Sequence, residues 1–128
     1  MTEYGYPRQL RLLAAGDFKS VFDDVQVKVP DQRILILARP NNLDHPRIGF
    51  VISKKNVRRA VKRNKVRRII RESFRLNQNN LPAIDMVVLA RPGLGDLSHE
   101  ELQQLSKKCW QRLIRKTTQT SKNQDRRS

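Results

Sequence analysis

The segment from Lys54 to Arg75 constrains this chain more than any other. Its 22 residues hold 11 of the 27 Lys and Arg residues and a single acid, Glu72. Apolar residues recur in it at helical spacing, so one side can be buried while the charged side faces solvent. The buried-side positions are Val66, Ile69, Ile70, Ser73 and Phe74. The segment therefore predicts an amphipathic helix that packs on the rest of a small domain.

The start of this helix is less clearly marked than its end. Asn56 belongs to the residue types that cap helix N-termini, so it is the predicted cap. The first apolar positions lie nearly opposite the buried side, which indicates a helix that is bent, begins late or packs its first turn against another element. These positions are Val57, Ala60 and Val61. The polar run 77–80 and Pro82 end the helix.

Four other segments predict strands. Residues 25–29 alternate between apolar and polar, as in a strand with one wet face, whereas residues 34–38 are continuously apolar, as in a strand covered on both faces. Residues 47–52 and 85–90 are the other two strands. Together with the flanking helices they predict an α+β two-layer sandwich in the order αβββαβα.

Helical patterns also flank the strands. Phe18, Val21 and Phe22 share one face of a short first helix, for which Asp17 is a cap or first-turn residue. The run 98–101 reads Ser-His-Glu-Glu, a capping box that opens the last helix. The inward side of that helix is predicted to carry Leu102, Leu105, Cys109 and Leu113, widened by Trp110 and Ile114.

Length and composition bound the class of protein. The 128 residues predict one domain over 1–116, followed by a disordered polar tail over 117–128. No apolar run is long enough to span a membrane, the N-terminus lacks the pattern of a signal peptide, and Cys109 is the only cysteine. A cytoplasmic location is therefore expected.

The residues with catalytic potential do not cluster. His45 lies in a predicted loop and His99 in the first turn of a helix, while Cys109 is on a core-facing position. The acids are scattered along the chain rather than spaced to hold magnesium. They include Asp17, Asp23, Asp24, Asp31, Asp44, Asp85, Asp96, Glu100 and Glu101. The sequence predicts no catalytic residue and no protein metal site.

The basic helix instead indicates a polyanion partner. The net charge is +15, and Arg63, Arg67 and Arg71 share one helical face, a spacing that can follow a phosphate backbone. Lys65, Arg68 and Arg75 flank that face. A solvated charged surface would use Glu partners at i, i+4, which are nearly absent here. A structural RNA-binding protein of ribosomal type fits this pattern as well, and a helix lying on an anionic membrane fits it less well.

Phe18 and Phe22 have two interpretations. Two rings on one helical face usually belong to a core. Yet the chain has four Phe, two Tyr and one Trp, so two of seven rings on a short helix beside a sheet could also stack on single-stranded RNA. Spacing alone leaves both interpretations open.

From Leu10 to Lys116 the chain resembles the protein subunit of bacterial ribonuclease P. The motifs that carry the resemblance are Asp17-Phe18-x-x-Val21-Phe22, Ile48-Gly49-x-Val51-x-Ser53-Lys54-Lys55, Ala60-Val61-x-Arg63-Asn64-Lys65-Val66-Arg67-Arg68-x-x-Arg71-Glu72 and Asp85-x-Val87-Val88-x-Ala90-Arg91-Pro92-Gly93. The resemblance implies a left-handed β-α-β crossover, a departure from the usual rule, in a fold shared with a domain of a small-subunit ribosomal protein.

The resemblance also implies a function. Catalysis would belong to an RNA subunit with bound Mg²⁺, which removes the 5′ leader of precursor tRNA, and no protein partner would be required. The implied contacts to the RNA subunit are Lys54, Lys55, Arg59, Lys62, Arg63, Asn64, Lys65, Arg67, Arg68 and Arg71. The implied leader-binding residues are Phe18, Phe22 and Arg33. The family's usual Arg-Asn-Arg reads Arg63-Asn64-Lys65 here, and a lysine lacks the bidentate fork of arginine.

Overall fold

The computed structural model describes the backbone of residues 13–127 and side chains as far as Thr117. The elements are α1 (Ala15–Asp23), β1 (Val27–Pro30), β2 (Ile34–Pro40), β3 (Arg47–Val51), α2 (Ala60–Asn77), β4 (Ile84–Ala90) and α3 (His99–Arg127), with short 3₁₀ turns at Gln78–Asn80 and Leu94–Asp96. The predicted α+β class and αβββαβα order are confirmed. The part of the family resemblance between Leu10 and Leu12 lies outside the described residues.

The four strands form one sheet in the order β1-β2-β4-β3. β2 is antiparallel to both β1 and β4, whereas β3 and β4 are parallel neighbours. Parallel neighbours need a crossover connection, and α2 supplies it. The left-handed sense of that crossover stays a prediction.

β2 is covered on both faces, as its continuous apolar run predicts. Ile34, Ile36 and Ala38 belong to the main core under α2 and α3, whereas Leu37 belongs to a smaller cluster on the opposite face, under α1. β1 shows the predicted alternation, with Val27 and Val29 buried and the residues after each exposed. Among the described residues, α2 and α3 therefore cover one face of the sheet, and α1 with Leu13 covers part of the other.

The buried side of α2 is the one that the sequence predicts. All five expected positions are buried, and they are the only buried residues of this helix. The polar member, Ser73, is satisfied because the indole N–H of Trp110 donates to its hydroxyl oxygen at 2.9 Å. Packing of α2 on the sheet and on α3 thus fixes which of its residues can face solvent.

The predicted cap of α2 is wrong, and the helix is of the late-starting kind. Arg59 is the N-cap and makes no side-chain cap hydrogen bond. Asn56 is instead held in a turn before the helix, where its side-chain amide donates to the carbonyl of Ala90 at 2.8 Å. Val57 is buried and Val61 is 79% exposed, so the apolar positions before Val66 do not form one face.

α1 packs on the less covered face of the sheet. Val21 is its only buried residue, and it joins Leu13, Leu37 and Val87 in the smaller cluster. Asp17 lies in the first turn, and its carboxylate accepts a hydrogen bond from the Ala14 N–H at 2.9 Å. Its predicted role as a cap or first-turn residue is confirmed.

The predicted capping box of α3 is present. The Ser98 hydroxyl oxygen accepts from the Glu101 N–H at 3.1 Å, and the Glu101 carboxylate accepts from the Ser98 N–H at 2.8 Å. Hydrogen bonding of the Glu101 carboxylate by the Ser98 backbone N–H, and then by the Ser98 side chain, lowers the pKa of Glu101. Leu102, Cys109, Trp110 and Leu113 are buried as predicted, and Leu105 and Ile114 pack against them.

Replacing Ser98 with alanine removes one half of this box and is expected to lower the free energy of unfolding by about 1 kcal/mol. Thermal unfolding monitored by circular dichroism should show a midpoint lower by roughly 3–5 °C. Ser20→Ala is the matched control, because the Ser20 hydroxyl only donates to a carbonyl within α1 and caps nothing. Equal midpoints for the two variants would contradict the cap's contribution.

The last helix extends further than expected. It continues through 117–127, the range for which composition predicts a disordered tail, and the assignment of this range as a tail stays a prediction. Thr117 bonds back to the carbonyls of Leu113 and Ile114, and no Pro or Gly follows to stop the helix. The domain boundary at 116 stays a prediction.

Candidate RNA interface

The solvent side of α2 is strongly basic. No acid lies in its first turn, and Glu72 is its only acidic residue. Arg75 hydrogen-bonds to Glu72 and lowers the pKa of that carboxyl group. The loop that leads into α2 adds further exposed cations, namely Lys54, Lys55, Arg58 and Arg59. The protein's own acids therefore leave this surface largely unneutralised.

Two lysines of α2 turn toward the 3₁₀ turn Leu94–Asp96. Lys62 forms a salt bridge with Asp96 at 2.7 Å, which lowers the pKa of that carboxyl group. The Lys65 ammonium donates to the carbonyl of Leu97 at 3.0 Å and to that of Gly95 at 3.4 Å. Both residues are predicted RNA contacts, and the structure also gives each an anchoring role within the protein.

Three arginines of α2, spaced at i, i+4, differ in their internal contacts. The Arg63 guanidinium donates to the carbonyls of Val57 and Arg58, at 3.0 and 2.9 Å, and so holds the turn before the helix. Arg67 donates to the side-chain oxygen of Asn64 at 3.3 Å. Internal bonds therefore occupy Arg63 more than they occupy Arg67.

Arg71 has an unusual environment. Its guanidinium carbon lies 6.0 Å from the centre of the Phe50 ring, within range of a cation–π contact. Its Nε is buried and has no hydrogen-bond partner among the described residues. An unsatisfied buried N–H is costly, and because this Nε is buried, a ligand would have to be bound by the two terminal nitrogens of the guanidinium.

The outermost face of α2 carries Asn64 and Arg68. Together with Val61 and Lys65 they line a shallow concavity. A second cleft of about 210 Å³ separates the start of α2 from the 3₁₀ turn, and its walls include Lys55, Arg58, Arg59 and Lys62. Six of the ten predicted RNA contacts thus line these two concavities: Lys55, Arg59, Lys62, Asn64, Lys65 and Arg68.

Phe18 and Phe22 differ in their surroundings. Phe18 is half-buried over β3, where a Cβ added to Gly49 would lie 2.5 Å from its ring. Phe22 is 44% exposed. The sequence left core and binding roles open for both rings, and the structure packs Phe18 against the sheet while it leaves Phe22 accessible.

Next to α1 the same sheet face presents an apolar row. Leu35 and Leu89 pair across β2 and β4, and Val51 of β3 pairs with Leu89. Leu35 and Leu89 are half-buried, and Val51 is 39% exposed. The row and Phe22 give this face accessible apolar surface.

Arg33 lies at the opposite end of β2 from the contact between Arg39 and α1, roughly 20 Å along the strand. Its guanidinium packs on Gly93, whose φ of 91° only glycine adopts readily. The predicted role of Arg33 in binding the leader, together with Phe18 and Phe22, stays a prediction.

The side chains that the sequence offers for metal binding or nucleophilic chemistry do not cluster in the described part of the chain. They contain no group of three or more His, Cys, Asp or Glu residues that could hold a metal ion. Burial raises the pKa of the Cys109 thiol to about 11, which suppresses its reactive thiolate. Within the same range no helix is long and apolar enough to cross a membrane.

Comparison with known proteins decides the family. The family model described as Ribonuclease P matches residues 6–114. The chain belongs to this family. It is 55% identical over 115 residues to the ribonuclease P protein component of Ectopseudomonas mendocina, covering 90% of this chain and 86% of the relative. It is 50% identical over 125 residues to that of Pseudomonas aeruginosa, covering 98% and 93%.

Solved ribonuclease P proteins share the fold. The Staphylococcus aureus protein superposes with a TM-score of 0.71 at 29% identity, covering 80% of this chain and 93% of that one. The Thermotoga maritima protein gives 0.68 at 29% identity, with coverages of 82% and 96%. The recognition made from the motifs is therefore confirmed.

In this ribonuclease P protein, the apolar row was absent from the sites predicted from sequence. Strand alternation places Val51 on the same face as Gly49, and the motif contains both residues. Leu35 gave no such signal, because a continuously apolar strand does not reveal which face stays open. That knowledge required the position of α1.

Proposed function

We propose that this ribonuclease P protein binds the catalytic RNA subunit through α2 and its preceding loop, and binds the 5′ leader of precursor tRNA on the sheet face beside α1. The observation that carries the proposal is the basic surface of α2. Its 11 cations between Lys54 and Arg75 face one acid of the same segment, and that acid is held by Arg75.

A bound polyanion would stabilise such a surface. Like charges at i, i+4 on a helix repel, and here Arg63, Arg67 and Arg71 repeat that spacing. Phosphates of a folded RNA relieve this repulsion and release counterions as they bind. The Asn64 amide can both donate and accept, so it is suited to a phosphate oxygen or a 2′-hydroxyl beside the arginines.

The sheet face suits a single strand rather than a folded RNA. Phe22 and the row of Leu35, Leu89 and Val51 offer apolar surface on which unpaired bases can stack or pack. Binding of this kind depends little on base identity, because every base has an apolar face. It therefore suits leaders of different sequence.

Cleavage itself is assigned to the RNA subunit and its Mg²⁺. The acids beside the basic surface, Asp96 and Glu72, are paired with Lys62 and Arg75 and do not form a magnesium site. This chain contributes by binding and orienting RNA. Its auxiliary role in endonucleolytic tRNA 5′ maturation is proposed to take place in the cytoplasm, without another protein partner.

The test is cleavage of precursor tRNA by the matching catalytic RNA at low Mg²⁺, with and without this protein. We expect the protein to restore 5′ processing, because its cations replace part of the Mg²⁺ that screens RNA phosphates. The protein alone should not cleave precursor tRNA, because cleavage is assigned to the RNA subunit. Reactions at high Mg²⁺, where the RNA needs less help, are the control. Tight RNA binding without stimulation would instead favour a structural RNA-binding role of ribosomal type.

A further inference from the structure

The attachment of α1 to the sheet is unusually polar. Within its nine residues only Val21 is fully buried, and Phe18 is half-buried. So few apolar contacts fix the position of a short helix poorly, because apolar packing is non-directional. Other interactions must define where α1 lies on this face.

Arg47 of β3 supplies one of them. Its Nε donates to Asp85 Oδ1 at 2.8 Å and its Nη2 donates to Asp85 Oδ2 at 2.7 Å, a two-pronged contact with β4. The same Nη2 lies 3.3 Å from Asp17 Oδ1 in the first turn of α1. The side chains of Arg47 and Asp85 are 19% and 7% exposed, so the guanidinium is held firmly and its contact with α1 is directional.

Arg39 of β2 supplies a second contact at the other end of the helix. Its Nη1 donates to the carbonyl of Ser20 at 3.2 Å, and its Nη2 lies 3.6 Å from Asp24 Oδ2. α1 is therefore held near both ends by arginines that project from the sheet. The Asp24 contact is longer and more exposed, so the Arg47 contact is the better defined of the two.

These arginines are unsuited to binding RNA phosphates themselves. Three carboxylates surround the two guanidinium groups: Asp17, Asp24 and Asp85. The hydrogen bonds to Asp85 raise the pKa of Arg47, as expected for a cation already matched by acids. A local excess of negative charge repels phosphate, so the cluster acts within the protein.

We propose that Arg47, acting through Asp17, is a positioning residue for the leader: it fixes α1 on the sheet and thereby sets the distance between Phe22 and the apolar row. This inference rests on the proposed leader-binding function of that face. In this proposal the leader binds between α1, which carries Phe22, and the apolar row, and the contact of Arg47 with Asp17 holds α1 in place on the sheet. Loss of the contact should weaken leader binding without touching the RNA-docking surface.

Asp17→Asn tests this in the reconstituted holoenzyme. The amide retains the shape of the carboxylate and can accept from the Ala14 N–H, but it loses the charge that Arg47 binds. We expect the affinity for precursor tRNA to fall roughly 3- to 10-fold, as a small displacement of a binding group can cause, while affinities for mature tRNA and for the RNA subunit stay unchanged. Asp17→Glu, which can still reach Arg47, should restore most of the loss.

A second variant separates positioning from helix stability. Asp17 also interacts favourably with the helix N-terminus, so Asp17→Asn removes that benefit too. Gly16→Asp added to Asp17→Asn restores an acid to the first turn, at a position where an added Cβ meets no atom within 4 Å. The double variant should recover thermal stability but not precursor-tRNA affinity. Recovery of both would overturn the proposal.

Phe22→Ala in the same assay separates two proposals: that this sheet face binds the leader, and that Arg47 positions α1 for it. If Phe22→Ala discriminates precursor from mature tRNA and Asp17→Asn does not, the positioning role is overturned while leader binding by this face stands. If neither variant discriminates, both proposals fail.

Discussion

Replacing Arg67 and Arg71 with alanine together is expected to weaken binding to the catalytic RNA by roughly 3 kcal/mol, about a hundredfold, since each loses a charge-assisted contact. The dependence of log K on log salt should flatten by about 1.4–1.8, two phosphates' worth. Equilibrium binding measured across a salt series gives both numbers. Arg67 has one internal side-chain bond, to Asn64, and neither arginine belongs to the buried positions by which α2 packs on the domain.

The matched control removes two cations elsewhere. Lys107 and Arg115 are exposed on α3, outside the proposed RNA surface. Lys107→Ala with Arg115→Ala lowers the net charge by the same amount, so any effect of overall charge appears equally in both double variants. If the salt slope changes by the same amount in the two double variants, α2 is not the surface that binds the catalytic RNA.

The structure adds a reason to test Arg67 and Arg71 rather than other cations of α2. From the sequence, Arg63 and Lys65 are equally good candidates. Arg63 also holds the turn before α2 through two carbonyls, and Lys65 anchors the segment at Leu97. Loss of either would disturb the protein as well as any RNA contact, so reduced binding would not identify its cause.

The fold could be predicted where the pattern that determines an element lies within a single segment of the sequence. The five buried positions of α2 repeat at helical spacing, and the capping box of Ser98 and Glu101 lies within four residues. Motif resemblance identified the family over most of the chain. Local patterns of this kind depend only on neighbours in sequence.

Sequence patterns were insufficient where a residue distant in sequence determines the position of a side chain. Asn56 has the chemistry of a helix cap, yet its amide bonds to Ala90, 34 positions away, and α2 begins later. The contact of Arg33 with Gly93 likewise joins residues that are far apart in sequence, so the sequence did not indicate it. The site has the same limit: Asp17 was recognised as a first-turn residue, whereas its contact with Arg47 depends on how β3 and α1 pack.

Replacing Phe22 with alanine is expected to weaken binding of precursor tRNA by about 1–3 kcal/mol, the range for one stacked base, and to leave mature tRNA unaffected. The ring is 44% exposed, so its loss costs little of the core. Phe18→Ala should behave differently, because that ring covers Gly49 and its removal opens a cavity in the smaller cluster. Paired binding measurements with precursor and mature tRNA, together with thermal unfolding, separate the two variants.

Leu76→Ala is the matched control for Phe22→Ala, since Leu76 is a large apolar side chain, 62% exposed, near the C-terminal end of α2. Its removal should leave the affinities for both tRNAs unchanged, because no leader contact is assigned to it. The decisive quantity is the ratio of the affinities for precursor and mature tRNA. If Phe22→Ala leaves that ratio unchanged, its ring does not bind the leader, and the open sheet face beside α1 must serve another purpose.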